Sequence, residues 1–272
     1  MNVAHLSDLL IFLEGLGVHP KKSLSQNFLI DANIVRKIVA LANIQEGDLV
    51  LEIGPGPGAL TTELLKRGAF VTAIEKDSTF AKELHRLQND RLTVIEEDIL
   101  QFNWNHLPSG SWKVIGNLPY SITTPILELV CSQNATSFTF MVQKELAERL
   151  LAPLGSRECG SISVFVQSHG QIKGSFHVPK SCFYPSPQVD SSVLCLEFHS
   201  KKEPSEFFSL VRAAFQQRRK MIASSLKKFL SKEQIELAGI PTAARPETLS
   251  LTDWQKLFHI FCSLNEKRGS AP

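Results

Sequence analysis

The chain has 272 residues, 29 Lys and Arg against 27 Asp and Glu, and 43% hydrophobic residues. This length fits two domains or one large one, and the ordinary apolar content excludes a disordered or fibrous chain. The longest apolar runs are far shorter than the roughly 20 residues of a membrane span, and Asp8 and Glu14 argue against a signal peptide. The five cysteines form no C-x-x-C pair. We therefore expect reduced thiols and no metal site or disulfide scaffold.

The net charge of +2 is unevenly distributed along the chain. From Ser200 onward, thirteen Lys and Arg accompany seven Asp and Glu, a net +6, so the first 199 residues carry −4. A basic C-terminal part suggests an anionic macromolecular partner, although charge alone slightly favours a solvated helix face.

Helix-like and strand-like runs alternate in the first 200 residues. Amphipathic patterns predict helices at 6–16, 34–42, 59–66, 79–87 and 126–131. Short runs rich in β-branched or aromatic residues predict strands at 49–53, 70–74, 92–95, 112–115, 138–142, 161–167 and 193–198. This alternation predicts an α/β fold with a parallel sheet covered by helices on both faces.

The pattern changes after residue 200. Lys201-Lys202-Glu203-Pro204 interrupts it, and only helix-like segments follow, at 206–217, 221–230, 232–238 and 252–263. We therefore predict a domain boundary near Ser200, with an α/β domain over residues 1–200 and an all-helical domain over residues 201–272.

A glycine-rich turn follows the strand at 49–53. Gly54-Pro55-Gly56-Pro57-Gly58 leads directly into a helix, an arrangement that lets a ligand approach the backbone closely. Glu75 ends the next strand, 21 residues beyond Gly54, where an acid suits the two hydroxyls of a ribose. Asp98 follows the third strand and could accept from an adenine amine. Solvated carboxylates are the simpler alternative, but two acids beside a glycine turn favour a ligand, either NAD or S-adenosylmethionine.

The fourth strand runs into Asn117-Leu118-Pro119-Tyr120. Pro119 restricts Leu118 to an extended conformation, so the Leu118 carbonyl points in a fixed direction beside the Asn117 amide oxygen. Two acceptors and an aromatic ring suit a planar amine such as that of adenine. A hydride-transfer enzyme has no use for this arrangement, so the motif favours a methyl transfer from S-adenosylmethionine over an NAD oxidoreductase.

At this point the sequence resembles the ribosomal RNA adenine dimethyltransferases, specifically the KsgA/RsmA type that acts on small-subunit RNA. The resemblance covers nearly the whole chain after a short N-terminal extension. Besides Glu75, Asp98 and Asn117–Tyr120, it is carried in order by residues 21–29 (KKSLSQNFL), 52–61 (EIGPGPGALT), 141–145 (MVQKE), 147–149 (AER), 183–187 (FYPSP), 189–191 (VDS), 217–220 (QRRK), 245–247 (RPE) and 249–250 (LS).

The resemblance implies a class I Rossmann-like S-adenosylmethionine methyltransferase domain and a smaller helical RNA-binding domain. The residues that it implies for cofactor binding are Asn27, Leu29, Gly54, Glu75, Asp98 and Asn117. Those that it implies for catalysis are Asn117, Leu118, Pro119, Tyr120 and Phe183, with Tyr120 and Phe183 stacking on the extruded target base.

The basic segment 216–230 contains five cations and no acid, which can neutralise several RNA phosphates. We expect RNA contacts from Arg218, Arg219, Lys220, Lys227 and Lys228. The chain also departs from the family pattern, in ways that bear on RNA affinity more than on activity, at Ser25, Pro57, Lys180 and Gln188.

The resemblance implies dimethylation of the exocyclic amine of two adjacent adenosines in the 3′-terminal hairpin loop of 16S ribosomal RNA, with a role in ribosome biogenesis. The expected partners are this RNA and the pre-assembled small subunit. We expect the protein to be a cytoplasmic monomer that does not contact a membrane. Three alternatives stay open: a large-subunit methyltransferase of the antibiotic-resistance type, an assembly factor whose chemistry is secondary, and an NAD or nucleotide-sugar oxidoreductase.

Overall fold

The computed structural model describes residues 2–87, 89–200, 202–217 and 219–269, with side chains up to residue 263. The chain divides into two compact units. The first comprises Met1–Ala147 and Gln171–Phe198, and the second comprises Glu148–Gly170 and His199–Pro272. The second unit therefore includes a segment that lies before residue 200 in the chain. The division into a methyltransferase domain over residues 1–200 and an RNA-binding domain over residues 201–272 stays a prediction.

The helices and strands alternate through the first part of the chain. The strands are β1 Phe28–Leu29, β2 Leu49–Ile53, β3 Phe70–Glu75, β4 Leu92–Glu96, β5 Trp112–Asn117, β6 Ala135–Gln143, β7 Gly170–Val178, β8 Phe183–Tyr184 and β9 Ser191–Phe198. The α-helices are α1 Leu6–Leu16, α2 Ala32–Leu41, α3 Ala59–Lys66, α4 Ser78–Leu84, α5 Thr123–Ser132, α6 Lys144–Leu151, α7 Ser161–His169, α8 Ser205–Phe215, α9 Ile222–Ser225, α10 Lys232–Leu237 and α11 Leu251–Gly269.

A mixed seven-stranded sheet has the order β4-β3-β2-β5-β6-β9-β7. The strands from β4 to β6 are parallel, and β9 is antiparallel to β6. From β2 the chain proceeds to β3 on one side, and β5 later joins β2 on the other. Ligands of such sheets bind beyond the carboxyl ends of the strands at this reversal of direction. The predicted α/β class is confirmed, although the sheet is parallel only from β4 to β6. The topology places the site at β2 and β5.

The core of the first unit joins the sheet to helices α2 and α3. Val35, Ile38 and Leu64 from the helices are buried with Val50 and Val71 of the sheet. The apolar residues of α2 recur three and four apart, which is why this segment forms a helix with one buried face. Asp31 begins α2 as its N-cap and accepts from the Asn33 and Ile34 amides.

The segment predicted as a strand at 161–167 is instead helix α7, so this prediction was wrong. A short apolar run rich in β-branched residues has no periodicity that separates a buried helix from a strand. Nine residues of this helix follow Gly160, and six of them are buried. The sequence signal for β7 was overlooked, although its residues alternate between more and less exposed positions as a strand requires.

The second unit is helical in its C-terminal part, as predicted, and aromatic side chains form much of its interior. The Phe165 and Phe208 rings meet edge to face with centroids 4.5 Å apart, and Phe207 contacts Phe258 in the same way at 5.6 Å. These rings therefore pack against one another in the interior of the second unit. The predicted helix at 221–230 is shorter than expected, because only Ile222–Ser225 is helical and the following residues form a turn.

Among the residues that the structure describes, no helix is both long enough and apolar enough to cross a membrane.

Candidate active site

A cavity of about 200 Å³ opens in the first unit, where β2, β3 and β5 end. The residues that line it come from the segment 23–29, the glycine turn after β2, the end of β3, the residues after β4 and the motif after β5. Predicted site residues found on its wall are Asn27, Leu29, Gly54, Glu75, Asp98, Asn117, Leu118, Pro119 and Tyr120. Five stretches that are distant in the sequence thus form one site.

The glycine turn has backbone conformations that favour glycine. Gly54 has a φ of 65°, and open space surrounds the point where a Cβ atom would be. Gly56 has a φ of 54°, and a Cβ atom there would lie 3.2 Å from the Phe28 ring. A side chain at Gly54 would be strained and would enter the cavity, so this position suits close approach of a ligand to the backbone.

Glu75 lies at the end of β3 with only 7% of its surface exposed. Its Oε2 accepts from the Gly56 amide at 2.8 Å, and its Oε1 accepts from the Asp77 amide at the same distance. Burial raises the pKa of Glu75, and these amide donors oppose the rise. Each carboxylate oxygen keeps a further lone pair. The carboxylate is therefore fixed in direction and still able to accept from two neighbouring hydroxyls.

Asp98 is held by an ion pair that the sequence reasoning missed. Its Oδ2 lies 2.7 Å from Nζ of Lys76, and its Oδ1 accepts from the Leu100 amide at 3.0 Å. Burial works to raise the pKa of Asp98, but the Lys76 ammonium and the Leu100 amide together lower it. Asp98 is thus ionised at neutral pH and able to accept from an amine. The position of Lys76, directly after Glu75, was the available signal in the sequence.

Glu52 is the buried acid beneath the glycine turn, and sequence reasoning gave it no role. Its side chain is 0% exposed. Burial raises the pKa of Glu52 to about 8, the nearby Glu75 carboxylate adds to the rise, and the Thr61 hydroxyl and amide oppose it. A protonated Glu52 at neutral pH leaves Glu75 as the charged carboxylate facing the cavity. The signal was a lone charged residue within an apolar strand.

The side-chain orientation of Asn117 is set by a hydrogen bond to the carbonyl of a residue far away in the chain. Its Nδ2 donates to the Asn27 carbonyl at 2.8 Å. Because a carbonyl only accepts, this bond assigns the two ends of the amide and leaves Oδ1 as the free acceptor. Within the described part of the chain, no donor occupies that oxygen. The amide therefore presents an acceptor at the end of β5, as its predicted role requires.

Tyr120 begins a short 3-10 turn that follows Pro119. The Tyr120 side chain is partly buried on the cavity wall, and its hydroxyl lies 2.6 Å from the Ser191 hydroxyl. Burial raises the pKa of Tyr120, so the phenol is neutral at ordinary pH. The ring therefore contributes no charge to the cavity wall.

Phe183 is not on the wall of this cavity. It lies on β8, opposite Leu29 of β1, and only 3% of its surface is exposed. Its ring belongs to the core cluster that also contains Val35 and Val178. The structure therefore does not bring Phe183 together with Tyr120 at the cavity surface, and its stacking role stays a prediction.

The predicted RNA-binding cations belong to the second unit. Arg219, Lys220, Lys227 and Lys228 are exposed, and Arg218 lies outside the described residues. Helix α8 ends at Phe215, and beyond it the Lys220 amide donates to the Gln217 carbonyl at 2.7 Å. Exposed cations are able to contact RNA phosphates. The assignment of these residues to RNA binding stays a prediction.

The fold and the site together define a class I S-adenosylmethionine-dependent methyltransferase. The family model described as "Ribosomal RNA adenine dimethylase" matches residues 18–263. The chain belongs to this family, as its motifs indicated. It is therefore an S-adenosylmethionine-dependent rRNA adenine dimethyltransferase, and the oxidoreductase alternative is excluded.

Similar proteins agree with this assignment. "Ribosomal RNA small subunit methyltransferase A" of Protochlamydia amoebophila is 45% identical over 93% of this chain and 95% of its own length. The protein of the same name from Chlamydia trachomatis serovar D is 41% identical over 94% of this chain and 97% of its own length.

Two solved structures share the fold. The dimethyladenosine transferase from Plasmodium falciparum has a TM-score of 0.73 at 26% identity, covering 89% of this chain and 98% of that one. The 23S rRNA methyltransferase ErmE has a TM-score of 0.68 at 25% identity, covering 86% and 99%.

Proposed function

We propose that this enzyme dimethylates the N6 amines of two adjacent adenosines in the 3′-terminal hairpin loop of small-subunit ribosomal RNA. The observation that carries the proposal is the fixed orientation of the Asn117 amide, which leaves Oδ1 as its free acceptor in a cavity that Asn117 and Leu118 both line. The second proposed acceptor is the Leu118 carbonyl. In this proposal the two oxygens accept from the two hydrogens of the target amine. The nitrogen lone pair, otherwise delocalised into the adenine ring, is then directed at the methyl group.

S-adenosylmethionine supplies an electrophilic methyl group when it is bound. The residues proposed to hold it are Gly54 by close backbone approach, Glu75 at the ribose hydroxyls and Asp98 at the adenine amine, with Asn27 and Leu29 along the wall. The open space at Gly54 and the unused lone pairs of Glu75 support this assignment.

The reaction is an in-line displacement in which the adenosine nitrogen bonds to the methyl carbon and the carbon–sulfur bond breaks. The sulfur keeps the electron pair, and the positively charged methylated amine loses a proton to water. No general base is required, because the methylated amine is acidic. Asn117 and Leu118 contribute by positioning the amine, and positioning is worth several orders of magnitude in rate.

Small-subunit RNA is favoured over large-subunit RNA by the relatives. The proteins at 41–45% identity carry a small-subunit name, whereas ErmE, named for 23S rRNA, is 25% identical. We further propose that the substrate is the pre-assembled small subunit, that the enzyme acts as a cytoplasmic monomer, and that methylation belongs to ribosome biogenesis.

The test is mass spectrometry of ribosomal RNA from cells that lack their own enzyme and express this chain. A pair of adjacent dimethyladenosines in small-subunit RNA is expected, and modification of large-subunit RNA alone would contradict the proposal. Asn117→Ala should lower the methyl-transfer rate by about 10²–10³-fold, the scale of losing one positioned polar group. The exposed Asn134→Ala serves as the matched control and should transfer methyl at the parental rate.

A further inference from the structure

We propose that Ser191 is a positioning residue that holds the Tyr120 ring in the orientation that receives the target adenine. This inference rests on the proposed function, in which Tyr120 stacks on the base. It starts from the 2.6 Å contact between the Tyr120 hydroxyl and the Ser191 Oγ, two residues that lie 71 positions apart in the chain.

Ser191 is fixed by the surrounding backbone. It is the first residue of β9, is 0% exposed and pairs with Gln143 of β6. The preceding residue, Asp190, accepts from the Lys144 amide at 3.0 Å through its carbonyl and from the Lys180 amide at 2.9 Å through its carboxylate. The Ser191 hydroxyl is therefore a rigid point of attachment at the edge of the site.

Tyr120 lies outside the sheet, at the start of a short 3-10 turn. It lies in the connection between β5 and α5, and the bond from the Thr123 hydroxyl to the Pro119 carbonyl restrains only the backbone there. A tyrosine ring turns about two side-chain torsions, so fixing the hydroxyl fixes the end of the ring that lies furthest from the backbone. The Ser191 contact thus decides the direction of the stacking surface.

The neighbouring residue on β9 offers a matched comparison. Successive side chains on a strand point to opposite faces, so the partly buried Ser192 lies on the other face from Ser191. An alanine at either position removes one hydroxyl from the same strand and leaves its backbone ladder intact. Only the change at Ser191 removes the contact with Tyr120.

The experiment measures single-turnover methyl transfer at saturating RNA and cofactor for Ser191→Ala, Tyr120→Phe, the double variant and Ser192→Ala. Each of the first two removes the same hydrogen bond, so each should lower the rate by about 3- to 10-fold, the factor expected of one hydrogen bond. The double variant should be no slower than the slower single variant, because the bond can be lost only once. Ser192→Ala should keep the parental rate, and cofactor affinity measured by calorimetry should be unchanged throughout.

A parental rate for Ser191→Ala, or a double variant slowed by the product of the two single effects, would overturn the role of Ser191 while the parental enzyme still methylates RNA. Thermal unfolding separates misplacement of Tyr120 from a loss of folded protein. If the rate falls only in proportion to the folded fraction, Ser191 is merely structural and the inference is wrong. Absence of methylated adenosine with the parental chain overturns both this inference and the proposed function.

Discussion

Among single residues, the two acids near the glycine turn, Glu75 and Glu52, lie in different environments. Glu75 accepts from two backbone amides and lines the cavity, whereas Glu52 is completely buried. A buried acid avoids the cost of desolvating its charge by staying protonated. The pair thus presents one negative charge, and that charge is on the side where a ribose would bind.

Replacing Glu75 by Ala should weaken cofactor binding by about 1–3 kcal/mol, because charge-assisted hydrogen bonds to two hydroxyls are lost. Isothermal calorimetry with S-adenosylmethionine measures this directly. The exposed Glu96, at the end of the neighbouring strand, provides the control variant Glu96→Ala, which should bind as the parental chain does. Unchanged affinity in Glu75→Ala would refute the ribose assignment.

Glu52 should make folding stability depend on pH. Its folded pKa, about 8, lies above the ordinary value of 4.5, so the folded state binds the extra proton between these values. Its contribution to stability is therefore present at low pH and declines as pH rises from about 4.5 to 8, by up to about 1.4 kcal/mol per pH unit. Denaturant unfolding at several pH values should show a shallower decline for Glu52→Gln. An equal decline in both proteins would show that Glu52 is not the source.

At the scale of elements, the segment 21–29 is joined to the end of β3 through Asp77. The Asp77 Oδ2 lies 2.9 Å from Nζ of Lys21 and accepts from Gln26 Nε2 at 3.0 Å, while its amide donates to Glu75. Burial works to raise the pKa of Asp77, but the Lys21 and Gln26 bonds lower it. Asp77 therefore connects the proposed ribose acid, through its backbone amide, to the segment that orients Asn117, through its buried side chain.

Asp77→Asn should release this segment without unwinding α4. Asparagine still caps α4 through its side-chain oxygen, as Asp77 does at the Thr79 amide, but it cannot pair with the Lys21 charge. Lys21 is about half exposed, so the ion pair itself contributes only about 1 kcal/mol or less. Hydrogen-exchange mass spectrometry should show faster exchange in residues 21–29 and parental exchange in α4. Parental exchange in both segments would show that Asp77 does not anchor the segment.

At the scale of the whole molecule, opposite charges are divided between the parts of the chain. The residues from Ser200 onward carry +6 and the preceding ones −4. An acidic larger part disfavours nonspecific phosphate contact, and a basic smaller part favours it. We expect the affinity for RNA and the affinity for the cofactor to respond to different substitutions.

Replacing Arg218, Arg219 and Lys220 together by Gln should flatten the salt dependence of RNA binding by up to about three units of slope, since each phosphate contact releases about one counterion. Cofactor affinity should not change. Replacing the exposed Lys66, Arg67 and Lys82 of the first unit by Gln removes the same charge and should leave the slope unaltered. A parental slope in the first triple variant would mean that this surface is only solvated.

Local patterns in the sequence determined the strand, glycine turn and helix around Gly54 and the acids after the next two strands. Parallel strands bring their carboxyl ends to one edge, so residues at strand ends converge without detailed packing information. Features that depend on partners far away in the chain became visible only in the folded molecule. These features include helix α7 and the burial of Phe183. They also include the hydrogen bond from the Asn117 amide to the Asn27 carbonyl and the contact between the Ser191 and Tyr120 hydroxyls. Burial and long-range hydrogen bonds choose among local conformations that the sequence pattern alone leaves equivalent.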